Sequence, residues 1–256
     1  MLKGKRGIIF GIANDHSIAW GISKKLSEHG AELALTYQND TLLKRIKPLS
    51  KEINSKLLIE CDFSQSNSIK KCFDDLNQKW DDIDFVVHAA AFSNKDELNG
   101  RYIDTSLSNF INTLNISCYS FTEISKLASS MMNNGGSLLT LSFYGANKVM
   151  PNYNVMGVAK AALEMSVKYL SVDLGKNNIR VNAISAGPMR TIAGAAIAKA
   201  REVYKYTEKN SPLHRNVRLD ELGNTALYFV SDLSKAVSGE IHYVDCGFNI
   251  IGMPQN

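Results

Sequence analysis

The chain has 256 residues, 45% of them apolar and 21% charged, which is enough for one large domain with a sizeable core. Its net charge of +4 comes from scattered Lys and Arg and excludes a nucleic-acid-binding arm, and no apolar run approaches membrane-spanning length. Cys61, Cys72, Cys118 and Cys246 are widely separated, with no Cys-x-x-Cys pair and no histidine cluster; this spacing argues against a zinc centre or disulfide framework and fits a reducing, cytoplasmic setting.

The basic start and short apolar run up to Ala13 lack a cleavage site, so the N-terminus is expected to be kept. Residues 7–11 read as a first strand. A turn from Gly11 follows, and Ser17 opens a helix running to about Glu28, with Gly30 as its stop. Strand, small-residue loop and helix is the arrangement in which dinucleotide-binding folds seat a pyrophosphate. Small Gly11 and Ala13 let the backbone approach the phosphates, and free amides at the positive helix end meet their charge. The spacing is not Gly-x-Gly-x-x-Gly, and an ordinary tight strand-to-helix turn is the alternative.

A second strand over 31–36 ends near Gln38, where such folds meet the adenosine ribose. No Arg or Lys follows before Lys44, which favours NADH over NADPH; a plain polar loop residue is the alternative. A helix over 41–53 and a third strand over 56–60 lead to Asp62-Phe63. That pair suits an adenine edge and face, or Asp62 simply caps the next helix, over 65–79. The fourth strand, 83–88, runs into Ala89-Ala90-Ala91, which implies close passage of something large and flat, or tight packing. Residues 94–104 read as loop, and 107–131 as one long amphipathic helix.

A fifth strand over 137–141, a helix over 152–174 and a sixth strand over 178–184 come next. Residues 192–215 read as short helices able to move, a lid; 219–233 as a helix and 240–245 as the last strand. Seven strands joined by helix-length connections imply a parallel sheet with helices on both faces. The expected fold is therefore a single doubly wound α/β Rossmann domain over 1–256, with its ligand crevice at the carboxyl ends of the strands.

Just past the fifth strand, Tyr153 and Lys160 stand seven residues apart, about two helical turns, and so share one helix face. A phenol beside an ammonium can donate a hydrogen bond to an oxygen that gains negative charge. A core Tyr and a solvated Lys are the bland alternative.

With Gly11 to Gly21 ending Ser-Ile-Ala-Trp-Gly, with Pro151 to Lys160 carrying Tyr-x6-Lys, and with Gly187 to Thr191 and Val244 to Phe248, the chain resembles a short-chain dehydrogenase/reductase. More narrowly, it resembles the NADH-dependent enoyl-[acyl-carrier-protein] reductases of bacterial type II fatty acid synthesis. That resemblance implies that Tyr153 bonds the substrate thioester carbonyl and that Lys160 binds the nicotinamide ribose. It implies NADH contacts at Gly11, Ser17, Ile18, Gln38, Asp62, Phe63, Ala90, Met189, Thr191, Ile192 and Ala193, and a substrate border at Ser93. It further implies a homotetramer. Tyr144, Met156, Ile197 and Tyr204 are candidates for the apolar wall of the acyl site. Lys199, Arg201 and Lys205 are candidates for meeting an acidic acyl carrier protein, unless they form a plain solvated face.

Two positions depart from the family pattern. Phe143 stands where a second Tyr is usual, and it cannot donate a hydrogen bond. Ala91 adds a methyl where some relatives carry Gly. Two other readings stay open: a short-chain reductase acting on a ketone or alcohol, and a non-catalytic NAD-binding sensor.

Overall fold

Short runs of aliphatic residues, buried on both faces, build the centre of the molecule. In β1 (Arg6–Phe10), Ile8 and Phe10 face one side and Ile9 the other, and all three are buried. Such a strand reads as continuously apolar because helices cover both faces of a parallel sheet. The remaining strands are β2 (Glu32–Tyr37), β3 (Leu57–Glu60), β4 (Phe85–His88), β5 (Gly136–Phe143), β6 (Ile179–Ala186) and β7 (Ile241–Val244). Every pairing is parallel and the order is β3-β2-β1-β4-β5-β6-β7. The structure, a computed structural model, describes residues 1–195 and 197–253; the side chains of Ala193 and Ala195 lie outside that description.

The helices along the chain are α1 (Ile18–Glu28), α2 (Asp40–Glu52), α3 (Ser68–Asn77), α4 (Lys95–Leu98) and α5 (Leu107–Leu114). They continue as α6 (Ser120–Ser129), α7 (Asn154–Gly175), α8 (Ile192–Ala195), α9 (Ala200–Asn210) and α10 (Leu219–Val230). Ile22 and Leu26 of α1, Ile46 of α2 and Leu222 of α10 pack on one face of the sheet with Ile9, Leu35 and Val87. Phe73 of α3, Phe121 of α6 and Leu163 of α7 pack on the other with Phe10, Val86 and Leu138. The direction of winding reverses between β1 and β4, and a doubly wound sheet opens its ligand crevice at that reversal.

Two stretches differ from the sequence expectation. Residues 94–104 hold α4 and a 3-10 turn, Tyr102–Asp104, because the Asn94 side chain accepts from the Asp96 amide and starts a helix. The helix expected over 107–131 is broken by a π-helical segment, Asn115–Tyr119. There the wider turn aims Ser117 at the loop after β4, where its hydroxyl accepts from the Phe92 amide (3.0 Å) and donates to the Phe92 carbonyl (3.1 Å).

At the end of β4, His88 is wholly buried. Its Nε2 lies 2.9 Å from Ser120 Oγ and its Nδ1 2.8 Å from Thr140 Oγ1. Both hydroxyls also donate to carbonyls, Ser120 to Ile116 (2.7 Å) and Thr140 to His88 itself (3.2 Å), so the ring is held between them. Burial pushes the ring down to about 3, so it stays neutral and braces β4 against β5 and α6.

Candidate active site

The carboxyl ends of the strands frame one cavity of about 1800 Å³, ample for a dinucleotide and a second ligand together. Its floor begins at Gly11, whose φ of +97° is left-handed. A Cβ there would come within 2.4 Å of the Ala89 carbonyl oxygen. Glycine is therefore required by the crossing of β1 with the loop after β4, as well as by any ligand. Ser17 sits at the N-cap position of α1 but does not cap it. Its hydroxyl accepts from the amides of Ala13 (3.0 Å) and Asn14 (3.1 Å), which folds the loop back on itself. No side chain caps the α1 terminus, so its amides face the cavity at the positive end of the helix, the setting that suits a pyrophosphate.

At the far end, Gln38 Nε2 donates to Asp62 Oδ1 (3.1 Å). Asp62 also accepts from the amide and hydroxyl of Ser64 (3.0 and 2.8 Å). It thus holds its own turn rather than capping α3, whose N-cap position is Asn67. The Phe63 ring lies nearly parallel to His88, 5.8 Å between centroids, and borders the cavity. A polar pair beside an aromatic edge fits an adenosine.

The other end is built by β5 and α7. Tyr153 stands at the N-cap position of α7 and is buried. Phe143 meets its ring edge-on at 5.1 Å. On the 3-10 turn Tyr144–Ala146, a Cβ on Gly145 would come within 2.5 Å of Tyr153 Cδ1, so that turn presses directly on the phenol. Burial, and then the charge of Glu164, push the phenol well above its ordinary value, so it is a proton donor at neutral pH. Two turns on, Lys160 is buried and its Nζ donates to the Leu141 carbonyl at 2.8 Å. Burial lowers the ammonium to about 8; Cys118 and Glu164 oppose that fall.

Gly11, Ala13, Ser17, Ile18, Gln38, Asp62, Phe63, Ala90 and Ser93 all line this cavity. So do Tyr153, Met156, Lys160, Met189, Thr191, Ile192, Ile197 and Tyr204. One expected wall residue is corrected: the Tyr144 ring turns out of the cavity and packs edge-on against Phe248, 5.6 Å between centroids. The side chain of Ala193 lies outside the described residues. The expected lid segment carries α8 and α9. It is tied down by Asn152 Nδ2 donating to the Ala198 carbonyl (3.0 Å) and by Arg190 stacked 4.5 Å over Tyr204.

Comparison with known proteins follows this geometry closely. The family model described as enoyl-(acyl carrier protein) reductase matches residues 11–249. The chain is 56% identical over 254 residues to enoyl-[acyl-carrier-protein] reductase [NADH] 2 of Rhizobium meliloti, covering 99% of this chain and 95% of that protein. It is 55% identical to the enoyl-[acyl-carrier-protein] reductase [NADH] of Rickettsia typhi, covering 98% and 97%. The crystal structure of the Anaplasma phagocytophilum enoyl-(acyl-carrier-protein) reductase in complex with NAD superposes with a TM-score of 0.96 at 54% identity, covering 100% of this chain and 97% of that one.

The chain belongs to the enoyl-[acyl-carrier-protein] reductase family.

In this reductase several cavity residues carried no signal in the sequence. Leu42 and Arg45 of α2 reach the adenosine end, and Ile116 of the π segment reaches the centre. The buried carboxylate of Glu164 was missed as well. Its spacing of four from Lys160 is the only trace it leaves in the sequence, and surface helices carry such pairs everywhere.

The Lys160 value sets a pH window. Its folded pKa lies below the usual lysine value, so the ammonium fraction falls as pH rises through about 8 rather than through 10.5. NADH affinity, measured by nicotinamide fluorescence, is therefore expected to weaken above about pH 8, and Lys160→Met to remove that dependence. An affinity that is flat up to pH 10 in the wild type would contradict the placement of a titrating lysine in the site.

Proposed function

We infer that the chain is an NADH-dependent oxidoreductase of fatty acid synthesis, reducing the carbon–carbon double bond of a trans-2-enoyl-[acyl-carrier-protein]. The reading is carried by one observation: a protonated, buried phenol and a buried ammonium in the wall of the same cavity, within a chain of this family. Bound NADH supplies the hydride that adds to the β-carbon of the enoyl thioester. The negative charge then moves to the thioester carbonyl oxygen, and protonation at the α-carbon completes the reduction.

Tyr153 donates its hydrogen bond to that oxygen as charge develops, a contribution of about 3 kcal/mol. Lys160 holds the nicotinamide ribose and so orients the cofactor. Gly11, Ala13, Ser17 and Ile18, with Thr191 and Ile192, border the pyrophosphate, and Gln38, Asp62 and Phe63 hold the adenosine. The Asp62 carboxylate beside Gln38 repels a 2′-phosphate while Arg45 of the same cavity would attract one, so NADH is supported by the relatives named above rather than by charge. Met156, Ile197 and Tyr204 wall the acyl chain. Arg201 and Lys205 line the cavity and, with Lys199, would steer the acidic carrier protein towards it.

The test is NADH oxidation followed with crotonyl thioester, free and on the carrier protein. Tyr153→Phe is expected to slow turnover about 100-fold with NADH affinity little changed. Paired Arg201→Glu and Lys205→Glu should raise KM for the carrier-borne substrate only. Turnover by Tyr153→Phe within a few-fold of wild type would sink the catalytic assignment. Oxidation with a ketone but not an enoyl thioester would favour the carbonyl-reductase reading, and no oxidation with either would favour a sensor.

The outer surface supports a homotetramer. Met165, Tyr169 and Val172 form an exposed apolar stripe along α7, and Leu107 and Ile111 form another on α5. Tyr169 is 70% exposed and Val172 79%, an apolar face that a partner copy would cover. Among the described residues no helix is long and apolar enough to cross a membrane. The reduced thiols suit a cytoplasmic enzyme, which cell fractionation would check. Sedimentation is expected to give four copies for the wild type and a smaller species for Tyr169→Glu with Val172→Glu; a monomeric wild type would contradict the tetramer.

A further inference from the structure

One buried acid takes no part in the chemistry above. Glu164 lies one helical turn beyond Lys160 on α7 and is 9% exposed. Its carboxylate accepts from Ser142 Oγ (2.5 Å) and from Asn147 Nδ2 (2.9 Å), and Asn147 Nδ2 also lies 3.1 Å from the Tyr243 hydroxyl on β7. A carboxylate withdrawn from water is costly unless it meets opposite charge and donors. A glutamine of the same shape would avoid that cost, so the charge itself calls for a physical reason.

The contacts supply one. Lys160 and Glu164, four residues apart on the same face of α7, grip consecutive residues of β5. Lys160 donates to the Leu141 carbonyl, and Ser142 donates to Glu164. Asn147 extends the grip: its amide closes the Tyr144–Ala146 turn on the Tyr144 carbonyl (3.0 Å), and Gly145 of that turn abuts the Tyr153 ring. One carboxylate is therefore anchored on the residue next to the one that holds the ammonium, and through Asn147 it reaches the backing of the phenol.

We propose that Glu164 is a positioning residue for the reduction: bonded to Ser142 beside the Leu141 carbonyl that holds Lys160, it places a carboxylate one turn from the ammonium and, through Asn147, seats the 144–146 turn against Tyr153. This rests on the roles assigned above to Tyr153 and Lys160. The titratable groups facing Lys160 are Glu164 from its own helix, Cys118 from the π segment and His88 from β4. His88 is held neutral by burial, and Glu164 is the carboxylate among them. Facing Glu164 besides Lys160 are the phenols of Tyr153 and Tyr243, and its charge disfavours ionisation of both. The same acid thus holds the ammonium and the phenol in their proton-bearing forms.

The test reads the alkaline limb of NADH affinity against pH in four proteins: wild type, Glu164→Gln, Glu164→Asp and Lys160→Met. Glu164→Gln is expected to move the limb to lower pH by about one unit, the scale of a lost neighbouring charge. Glu164→Asp keeps the charge but draws it back, and should move the limb less than Glu164→Gln does. A residue that merely packs would lower stability and turnover at every pH without moving the limb. An unmoved limb in Glu164→Gln overturns the proposal. If that variant does not fold, Asn147→Ala, which releases the 144–146 turn from the carboxylate, is expected to lower turnover of the enoyl thioester, and unchanged turnover in it overturns the proposal. Persistence of the limb in Lys160→Met would instead show that the Lys160 assignment itself is at fault.

Discussion

The hydrogen bond from the buried Lys160 ammonium to the Leu141 carbonyl, with the Ser142–Glu164 bond beside it, joins the start of α7 to the end of β5, and the site is arranged around it. Taking an ammonium out of water costs several kcal/mol, so the fold must return something at that point. It returns a carbonyl from the strand, a carboxylate one turn further on, and a His88 ring that burial keeps neutral. The same register fixes Tyr153, which begins the helix that Lys160 anchors. The phenol has little freedom left: Phe143 meets its ring edge-on, and Gly145 leaves no room for a side chain on another side. Phe143 removes a hydroxyl from the wall at this position, yet keeps the ring that braces Tyr153. In this chain the packing role of that position survives without the donor.

The cavity is divided by chemistry along its length. At the adenosine end the polar groups bond one another, Gln38 to Asp62 and Asp62 to Ser64, so a ligand there meets a preformed frame rather than loose side chains. At the chemical end the donors are a phenol and an ammonium, both buried, with apolar Met156 and Ile197 beside them. Between the two lies the left-handed turn at Gly11, which brings β1 hard against the loop after β4 and sets the width of the crevice. The segment carrying α8 and α9 borders this arrangement and is held by a hydrogen bond from Asn152 to Ala198, by Arg190 stacked over Tyr204 and by Asn216 donating to the Tyr204 carbonyl (2.9 Å).

Much of this was legible in the chain because it depends on periodicity. Each strand is a short apolar run, and each crossover is long enough for a helix, so a parallel sheet follows before any contact is known. Tyr153 and Lys160 were legible for the same reason, since seven residues on a helix return to one face. What escaped depends on side-chain direction or on partners distant in sequence. Tyr144 sits beside the active phenol in the chain, but its ring rotates towards Phe248, over a hundred residues away. Gly11 was expected to be small for the sake of a ligand, and the Ala89 carbonyl requires it first. Ser17 reads as a helix cap and instead staples the loop before the helix. The π turn at 115–119 follows from a hydroxyl's bond to Phe92, which helical spacing does not encode. Glu164 resembles any surface acid until β5 and Asn147 are seen to enclose it.

The most direct test is a crystal structure with NAD and an unreactive enoyl thioester analogue bound together. The account predicts the Tyr153 hydroxyl within about 3 Å of the thioester carbonyl oxygen and Lys160 Nζ within the same distance of the ribose hydroxyls. A nicotinamide ring lying away from Tyr153, with the ammonium bonded to Leu141 alone and the thioester elsewhere, would contradict it.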